Sequence, residues 1–229
     1  MSDASYAGAE NLEVMREAVN YNQALLDLVR RHAPKGARML DFGAGVGTFA
    51  LPLSREGHAV ECVEIDAAQR QAMAAAGLIV HDSLASIDDG SVDFAYSFNV
   101  LEHIDDDAGA LRDVARTLRP GGRLLVYVPA FPVLFTSMDR AVGHLRRYRR
   151  PALIALVERA ALDVVTSGYV DSLGFLATLA YRVAGSREGA IDRRALRLYD
   201  RFAFPISRLA DRALKHVMGK NLMVVAQKR

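Results

Sequence analysis

The sequence predicts an α/β fold built on a doubly wound, mostly parallel sheet, and three observations predict it. Short apolar runs alternate with helical patterns of about 8–14 residues, the signature of parallel strands joined by crossover helices. The first run, 39–42, passes directly into a turn with glycine at 43, 45 and 47 and then into a helix pattern. The next three runs end in polar residues, Glu64, Asp82 and Asn99, where strands of such a sheet open onto a ligand crevice.

Taken in order, residues 9–32 predict a helix, because Val14, Ala18, Tyr21, Leu25 and Leu28 recur at three- and four-residue spacing on one face. Pro34, Lys35 and Gly36 end it. The strand 39–42 and the glycine turn lead to a helix over about 48–56 that stops at Gly57. Residues 58–65 predict the second strand. Asp66 is suited to cap a helix running to Ala76, with Gly77 at its end. Residues 78–81 predict the third strand, the run from Asp88 to Ser91 a turn, and 92–98 the fourth strand. The acidic Asp105, Asp106 and Asp107 suit a helix start, and that helix runs to Leu118, where Pro120, Gly121 and Gly122 break it. The fifth strand is 123–128, closed by Pro129.

Beyond Pro129 the alternation becomes irregular. Residues 130–150 predict a long loop or short helices. A helix over 151–161 and a strand over 162–170 restore the pattern. Residues 172–218 predict helix, with Leu196, Tyr199, Phe202, Ile206, Leu209, Ala213 and Val217 at helical spacing, and with a kink or break expected at Pro205. The last strand is 221–227. No internal repeat or low-complexity linker divides the chain.

Composition bounds the function. Half-hydrophobic, one-quarter-charged sequence is that of an ordinary soluble globule, and a formal charge of +2 does not by itself imply a nucleic-acid partner. The one cysteine, Cys62, excludes an internal disulfide and lies in an apolar run, as a buried structural thiol would. The first residues carry no basic segment followed by an apolar one, and no run approaches the roughly 18 apolar residues that span a bilayer. A cytoplasmic protein is the expectation, with peripheral membrane contact left open. The six histidines (32, 58, 81, 103, 144 and 216) are scattered, so no metal site is expected.

Glycine tolerates positive φ and lets a ligand approach the backbone, and a helix N-terminus offers free N–H groups. The pattern here is G-x-G-x-G, with Thr48 where a dinucleotide fingerprint would carry its third glycine. A carboxylate at Glu64 can accept from both hydroxyls of a ribose. Asp82 can accept from an adenine amino group, and the Ser83 N–H can donate to a ring nitrogen. With Asn99 at the fourth strand end, these make a coherent adenosine site.

LDFGAGVGTFA, VEID, VDFAYSFNVLEHIDD and LRDVARTLRPGGRLLVYVP, in that order over 37–129, resemble the class I S-adenosylmethionine-dependent methyltransferases, and in particular their small-molecule branch. The resemblance implies a Rossmann-like seven-stranded sheet whose last strand is antiparallel and inserted between two others. It implies one domain over 1–229, with an N-terminal helix to 36, a cofactor-binding core over 37–170, a helical insertion over 171–219 and the last strand over 220–229. By the same resemblance the cofactor is S-adenosyl-L-methionine, with S-adenosyl-L-homocysteine as product. Gly43, Gly45 and Gly47 approach its methionine part, Glu64 binds the ribose, Asp82 and Ser83 the adenine, and Asn99 lines the methyl-donor site. Tyr21 covers the bound cofactor, and Asp41 is a further candidate cofactor-binding residue, with holding the glycine turn through its backbone as its competing reading.

On the acceptor side, Arg140, Arg146, Arg147, Arg149 and Arg150 crowd eleven residues beside His144 and Tyr148. Arginine forks bind carboxylate and phosphate. Asp139, His144, Arg146, Arg147 and Tyr148 are therefore candidates for recognising an anionic acceptor, and a loop in which Asp139 pairs with an arginine to fix the fold is the competing reading. RNA binding is not expected, because the interleaved aromatics that stack bases are missing. The stretch 171–219 carries nine Arg/Lys against five Asp/Glu together with an apolar face, suited to capping the acceptor pocket, to dimerising or to resting on an anionic membrane. A hydroxyl acceptor would need a base, for which His103, Glu102 and His144 are the candidates; a carboxylate acceptor would need none. The expected activity is methyl transfer by in-line displacement to a small or lipid-linked acceptor. A non-catalytic S-adenosylmethionine-binding partner and a nicotinamide-dependent oxidoreductase are the alternatives.

Overall fold

The computed structural model describes residues 14–184 and 192–229. Seven strands form one sheet in the order β3-β2-β1-β4-β5-β7-β6. They are β1 (Arg38–Phe42), β2 (Ala59–Val63), β3 (Ile79–His81), β4 (Val92–Phe98), β5 (Leu118–Pro129), β6 (Leu162–Val170) and β7 (Asn221–Lys228). β1 to β5 pair in parallel, and β7 runs antiparallel between β5 and β6, as expected.

The helices are α1 (Val19–His32), α2 (Ala50–Arg55), α3 (Ala67–Ala75), α4 (Asp107–Thr117), α5 (Ser137–Ala141), α6 (Arg150–Arg159), α7 (Ser172–Ala184), α8 (Arg193–Leu198) and α9 (Phe204–Leu214). The strands are apolar on both sides because helices cover both faces. In β5, Leu124 and Val126 point into one core with Leu111 and Val114 of α4 and Leu153 and Val157 of α6. Leu125 and Tyr127 point into the other, with Leu25 and Val29 of α1, Leu53 of α2 and Met73 of α3.

Local differences from the sequence reading have local causes. The predicted helix over 9–32 is interrupted before Val19, and its first residues, 9–13, lie outside the described set. α4 stops at Thr117 and β5 begins at once, because Leu118 pairs with Val92. The Pro120-Gly121-Gly122 segment lies within β5, beside an irregularity in the β4–β5 register between Val92 and Phe94, and does not precede the strand. A Cβ at Gly122 would stand 2.9 Å from the Arg119 carbonyl oxygen. Pro205 does not break the helical run. It sits in the first turn of α9, behind a π-helical turn over Tyr199–Ala203 that accommodates the missing N–H.

Three aspartates fasten the helical insertion to α1 and to the end of β6. Asp200 caps α1 from a distant part of the chain: its carboxylate accepts from Asn20 N at 2.9 Å and Tyr21 N at 2.8 Å, where Ala18 offers no side-chain cap. Asp171, at the end of β6 with φ +65°, accepts from Ser207 Oγ at 2.8 Å, Tyr199 Oη at 2.5 Å and Gly174 N at 3.1 Å. Asp211 of α9 accepts from the Asp171 and Ser172 backbone N–H groups at 2.8 and 2.9 Å. None of the described helices is long and apolar enough to cross a membrane.

Candidate active site

The carboxyl ends of β2, β1 and β4 stand side by side and carry the glycine turn, Glu64 and Asn99. The turn is fastened to β2 by backbone bonds: Gly43 N and Ala44 N donate to Val63 O at 2.9 and 3.1 Å. Gly43 has φ +81°, and a Cβ there would lie 2.3 Å from a Val100 methyl, so the chain after β4 presses directly on the turn. Gly45, at φ +56°, donates its N–H to Glu64 Oε2 at 2.7 Å. The other Glu64 oxygen accepts from Asp66 N at 2.9 Å. Asp66 caps α3 by accepting from Gln69 N, as its sequence position predicts. Beside the turn, Gln69 Oε1 is buried with no hydrogen-bond partner among the described residues.

Asp41, the fourth residue of β1, is 2% exposed and pairs across the sheet with Cys62 and Tyr96. Burial pushes its carboxyl up to about 7; the Tyr96 hydroxyl opposes the rise and the Glu64 charge adds to it. Burial also raises the Cys62 thiol, consistent with an inert core position. Asp82 and Ser83 follow β3 and are exposed to solvent.

Asn99 adopts φ +54° and donates to the Tyr21 hydroxyl at 3.4 Å, so these two predicted residues meet. Tyr21 packs edge-on against Tyr127 and Phe204, at 6.2 and 5.6 Å between ring centres. Burial pushes its hydroxyl up to about 12, against hydrogen bonds from Asn99 and Tyr127.

The segment after β5 folds back onto the turn 101–103. Arg147 is buried and clamps Asp139 with Nε at 2.7 Å and Nη2 at 3.0 Å. Asp139 also forms a capping box with Thr136 at the start of α5 and accepts from His144 Nδ1 at 2.8 Å. Burial alone would raise the Asp139 carboxyl, but the His144 and Arg147 hydrogen bonds hold it well below the usual carboxylate range. Tyr148 Oη donates to Asp107 Oδ2 at 2.8 Å and lies 3.1 Å from Leu101 O, and Arg146 Nη1 sits 3.0 Å from Asp107 Oδ2. Arg147 and Arg146 are thus held in ion pairs, the arrangement in which the loop fixes its own fold. A cleft of about 330 Å³ opens on the outer side of this loop, lined by Arg146, Arg149, Tyr148 and Leu156, with no residue of the glycine turn.

Histidines that are distant in sequence come together here. The His103 and His144 rings lie 4.8 Å apart, nearly perpendicular. Glu102 is fully buried, and neither carboxyl oxygen has a hydrogen-bond partner among the described residues. Burial pushes Glu102 up to about 8. His103 keeps a solvent-exposed face, and the partial desolvation of its ring and the neighbouring His144 move it below the usual imidazole range. Sequence reasoning missed Lys220, whose ammonium is shifted downward by burial against the pull of Asp171. It also missed Asp171 and Asp200. Asp171 had a readable signal, an acidic residue between a strand and a helix that accepts from the N–H three residues on; Asp200, inside a helical run, had none.

A family model described as a methyltransferase domain matches residues 15–167. The malonyl-[acyl-carrier protein] O-methyltransferase of Methylococcus capsulatus is 34% identical over 134 residues, which cover 53% of this chain and 47% of that protein. The ubiquinone biosynthesis O-methyltransferase of Ralstonia nicotianae is 29% identical over 166 residues, covering 61% and 68%. The chain thus spans about half the length, or less, of several curated relatives it matches. Among solved structures, a SAM-dependent methyltransferase from Thermotoga maritima superposes with a TM-score of 0.66 at 15% identity, covering 96% of this chain and 95% of that one, a likeness of fold.

Proposed function

The chain belongs to the class I S-adenosylmethionine-dependent methyltransferase family, and we propose that it transfers a methyl group to a small or lipid-linked acceptor. One arrangement supports this reading: the glycine turn, the Glu64 carboxylate that holds it and Asn99 occupy three neighbouring strand ends. S-adenosyl-L-methionine, when bound, supplies a methyl on a sulfonium whose departure leaves the neutral thioether S-adenosyl-L-homocysteine. The residues present fit such a group. Gly45 leaves its backbone bare, while the space of a Cβ at Gly43 is taken by Val100 and that at Gly47 by Leu51 and Met73, and Glu64 keeps lone pairs for ribose hydroxyls beyond the two that its backbone partners use. Asp82 and Ser83 serve the adenine, Asp41 and its buried surroundings stiffen the turn, and Gln69 Oε1 adds an acceptor with no partner among the described residues. Tyr21 and Asn99 close the methyl end.

In this reading the enzyme contributes alignment and a dry site. Among the candidate bases, His144 has its Nδ1 held by Asp139, which leaves the lone pair on Nε2. His103, moved below the usual imidazole range, is a weaker base, and burial raises Glu102 to about 8. Asp139, Arg147 and Tyr148 position the loop, while Arg146 and Arg149 border the cleft where an anionic group on the acceptor would be met.

The lipid-linked alternative is supported by the insertion. Leu198, Phe202, Ile206, Leu209 and Val217 are exposed, and Arg194, Arg197, Arg201, Arg208, Arg212 and Lys215 lie among them. The name of the Methylococcus relative adds a carrier-linked acceptor to the candidates.

S-adenosyl-L-homocysteine is expected to raise the melting temperature and NADH to leave it unchanged, since stabilisation follows occupancy. Glu64→Ala should abolish that shift, and the opposite ligand preference would sink the reading. Transfer of labelled methyl into an extract separates an enzyme from a binding scaffold. Sedimentation with anionic vesicles tests the lipid face, and absence of binding there removes the lipid-linked acceptor.

A further inference from the structure

We propose that Glu102, His103 and His144 form a binding site for a divalent first-row transition ion, of the zinc or manganese class, beyond the methyl-donor end of the crevice. Their ligand atoms lie within 4.8 Å of one another. Both imidazoles are prepared as metal-ligating histidines are, with the second nitrogen held by an oxygen. His144 Nδ1 is 2.8 Å from Asp139 Oδ1, and His103 Nδ1 is 3.3 Å from the Gly143 carbonyl oxygen. An acceptor oxygen opposite Nδ1 keeps the proton there and leaves the lone pair on Nε2. Arg147 clamps the far side of Asp139, so the orientation of the His144 ring is itself fixed.

Glu102 supplies the second, independent observation. It is fully buried, and both its carboxyl oxygens are without hydrogen-bond partners among the described residues, a costly state that a cation relieves. Glu102 Oε1 and His144 Nε2 are 3.7 Å apart. That is too long for a hydrogen bond, and close to the roughly 3.4 Å between two ligands that share a tetrahedral ion at about 2.1 Å. Two imidazoles and one carboxylate suit zinc or manganese better than magnesium or calcium, which favour all-oxygen sets. Three protein ligands leave coordination positions open, and exposed His103 marks the route in from solvent. Where the methyl-transfer reading holds, those positions suit an acceptor with a hydroxyl group, and this extension rests on that reading.

The test is a titration of chelator-stripped full chain with ZnCl2 and MnCl2 by calorimetry, and with CoCl2 by visible absorption. One equivalent should bind, cobalt should show the bands of a nitrogen- and oxygen-ligated ion, and excess MgCl2 should not compete. His144→Ala and Glu102→Gln should each weaken binding by about tenfold or more, whereas His58→Ala and His216→Ala should not change it. Absence of binding by all three ions, or affinity unchanged in the ligand variants, would overturn the site. His103→Gln keeps the test valid if a buried variant unfolds: the position is exposed, and unchanged affinity there also counts against the proposal. The S-adenosyl-L-homocysteine melting shift, measured alongside, separates the two readings. A shift without ion binding ends this proposal alone; ion binding without a shift ends the cofactor assignment alone.

Discussion

The two halves of the sheet hold their loops by different means. At the end of β1, the turn is held by its own backbone: two N–H groups donate to Val63 O, a third donates to Glu64, and a Cβ at Gly43 would collide with Val100. Beyond β5, the chain is held by buried charged side chains. Arg147 reaches Asp139 eight residues away, and Asp200 reaches the start of α1 from 180 residues away. The first half is specified by backbone conformations that few residue types can adopt. The second is specified by pairs of residues, either of which looks ordinary alone.

Mutations can break or sharpen that contrast. Removing one member of the buried pair should cost most: Asp139→Ala leaves Arg147 uncompensated and should lose about 3–5 kcal/mol in urea denaturation. A loss no larger than that of an exposed pair would erase the distinction. Next comes pH. The Asp41 carboxyl is raised in the folded chain, from 3.8 to about 7, so its unfolded form gives up the proton first. The native state is therefore relatively favoured below about pH 4 and loses that advantage as pH rises through 7. Asp41→Asn should become more stable than wild type across this window, by roughly 2–4 kcal/mol at its upper end. Parallel pH profiles for the two proteins would remove the buried-carboxyl account. Gly43→Ala should lose about 1–3 kcal/mol from backbone strain, together with the S-adenosyl-L-homocysteine melting shift; retention of a full shift would show that the turn tolerates a side chain. The smallest effect is expected from Asp200→Ala, about 0.5–2 kcal/mol for a lost helix cap. Hydrogen exchange should quicken at Asn20 and Tyr21 and stay unchanged in β1, whereas uniform quickening would mean that the two halves are not separable.

What was legible in the sequence follows the same division. Alternating apolar runs, glycine spacing and the polar residues at strand ends give the sheet and the neighbourhood of Gly43, Glu64 and Asn99, while the antiparallel direction of the last strand follows only from the family resemblance. Each depends on residues a few positions apart or on a recurrent pattern. The Asp139–Arg147 pair could be posed only as one of two readings, since an arginine-rich loop looks alike whether its forks face a ligand or an internal carboxylate. The meeting of His103 with His144 was hidden altogether. It depends on the chain after β5 turning back onto 101–103 through Tyr148 and Leu145, whose N–H donates to Glu102 O at 2.8 Å. No local spacing announces such a return. At Pro205, for which a kink or break is expected, the run continues through a π-turn, a backbone solution without a residue code.

The position of β7 also bears on synthesis. β6 pairs with β7 alone, so when 162–170 leaves the ribosome its intended neighbour does not yet exist. The first five strands can assemble vectorially, each against one already made, whereas β6 and the insertion packed behind it must wait for 221–228 to slide between them and β5. Until then one edge of β5 and one edge of β6 are open to pairing with another chain. Stalling or truncation short of Asn221 should therefore give an aggregation-prone nascent chain with an ordered amino-terminal half, and the seven residue pairs joining β5 to β7 would be the step that commits the molecule.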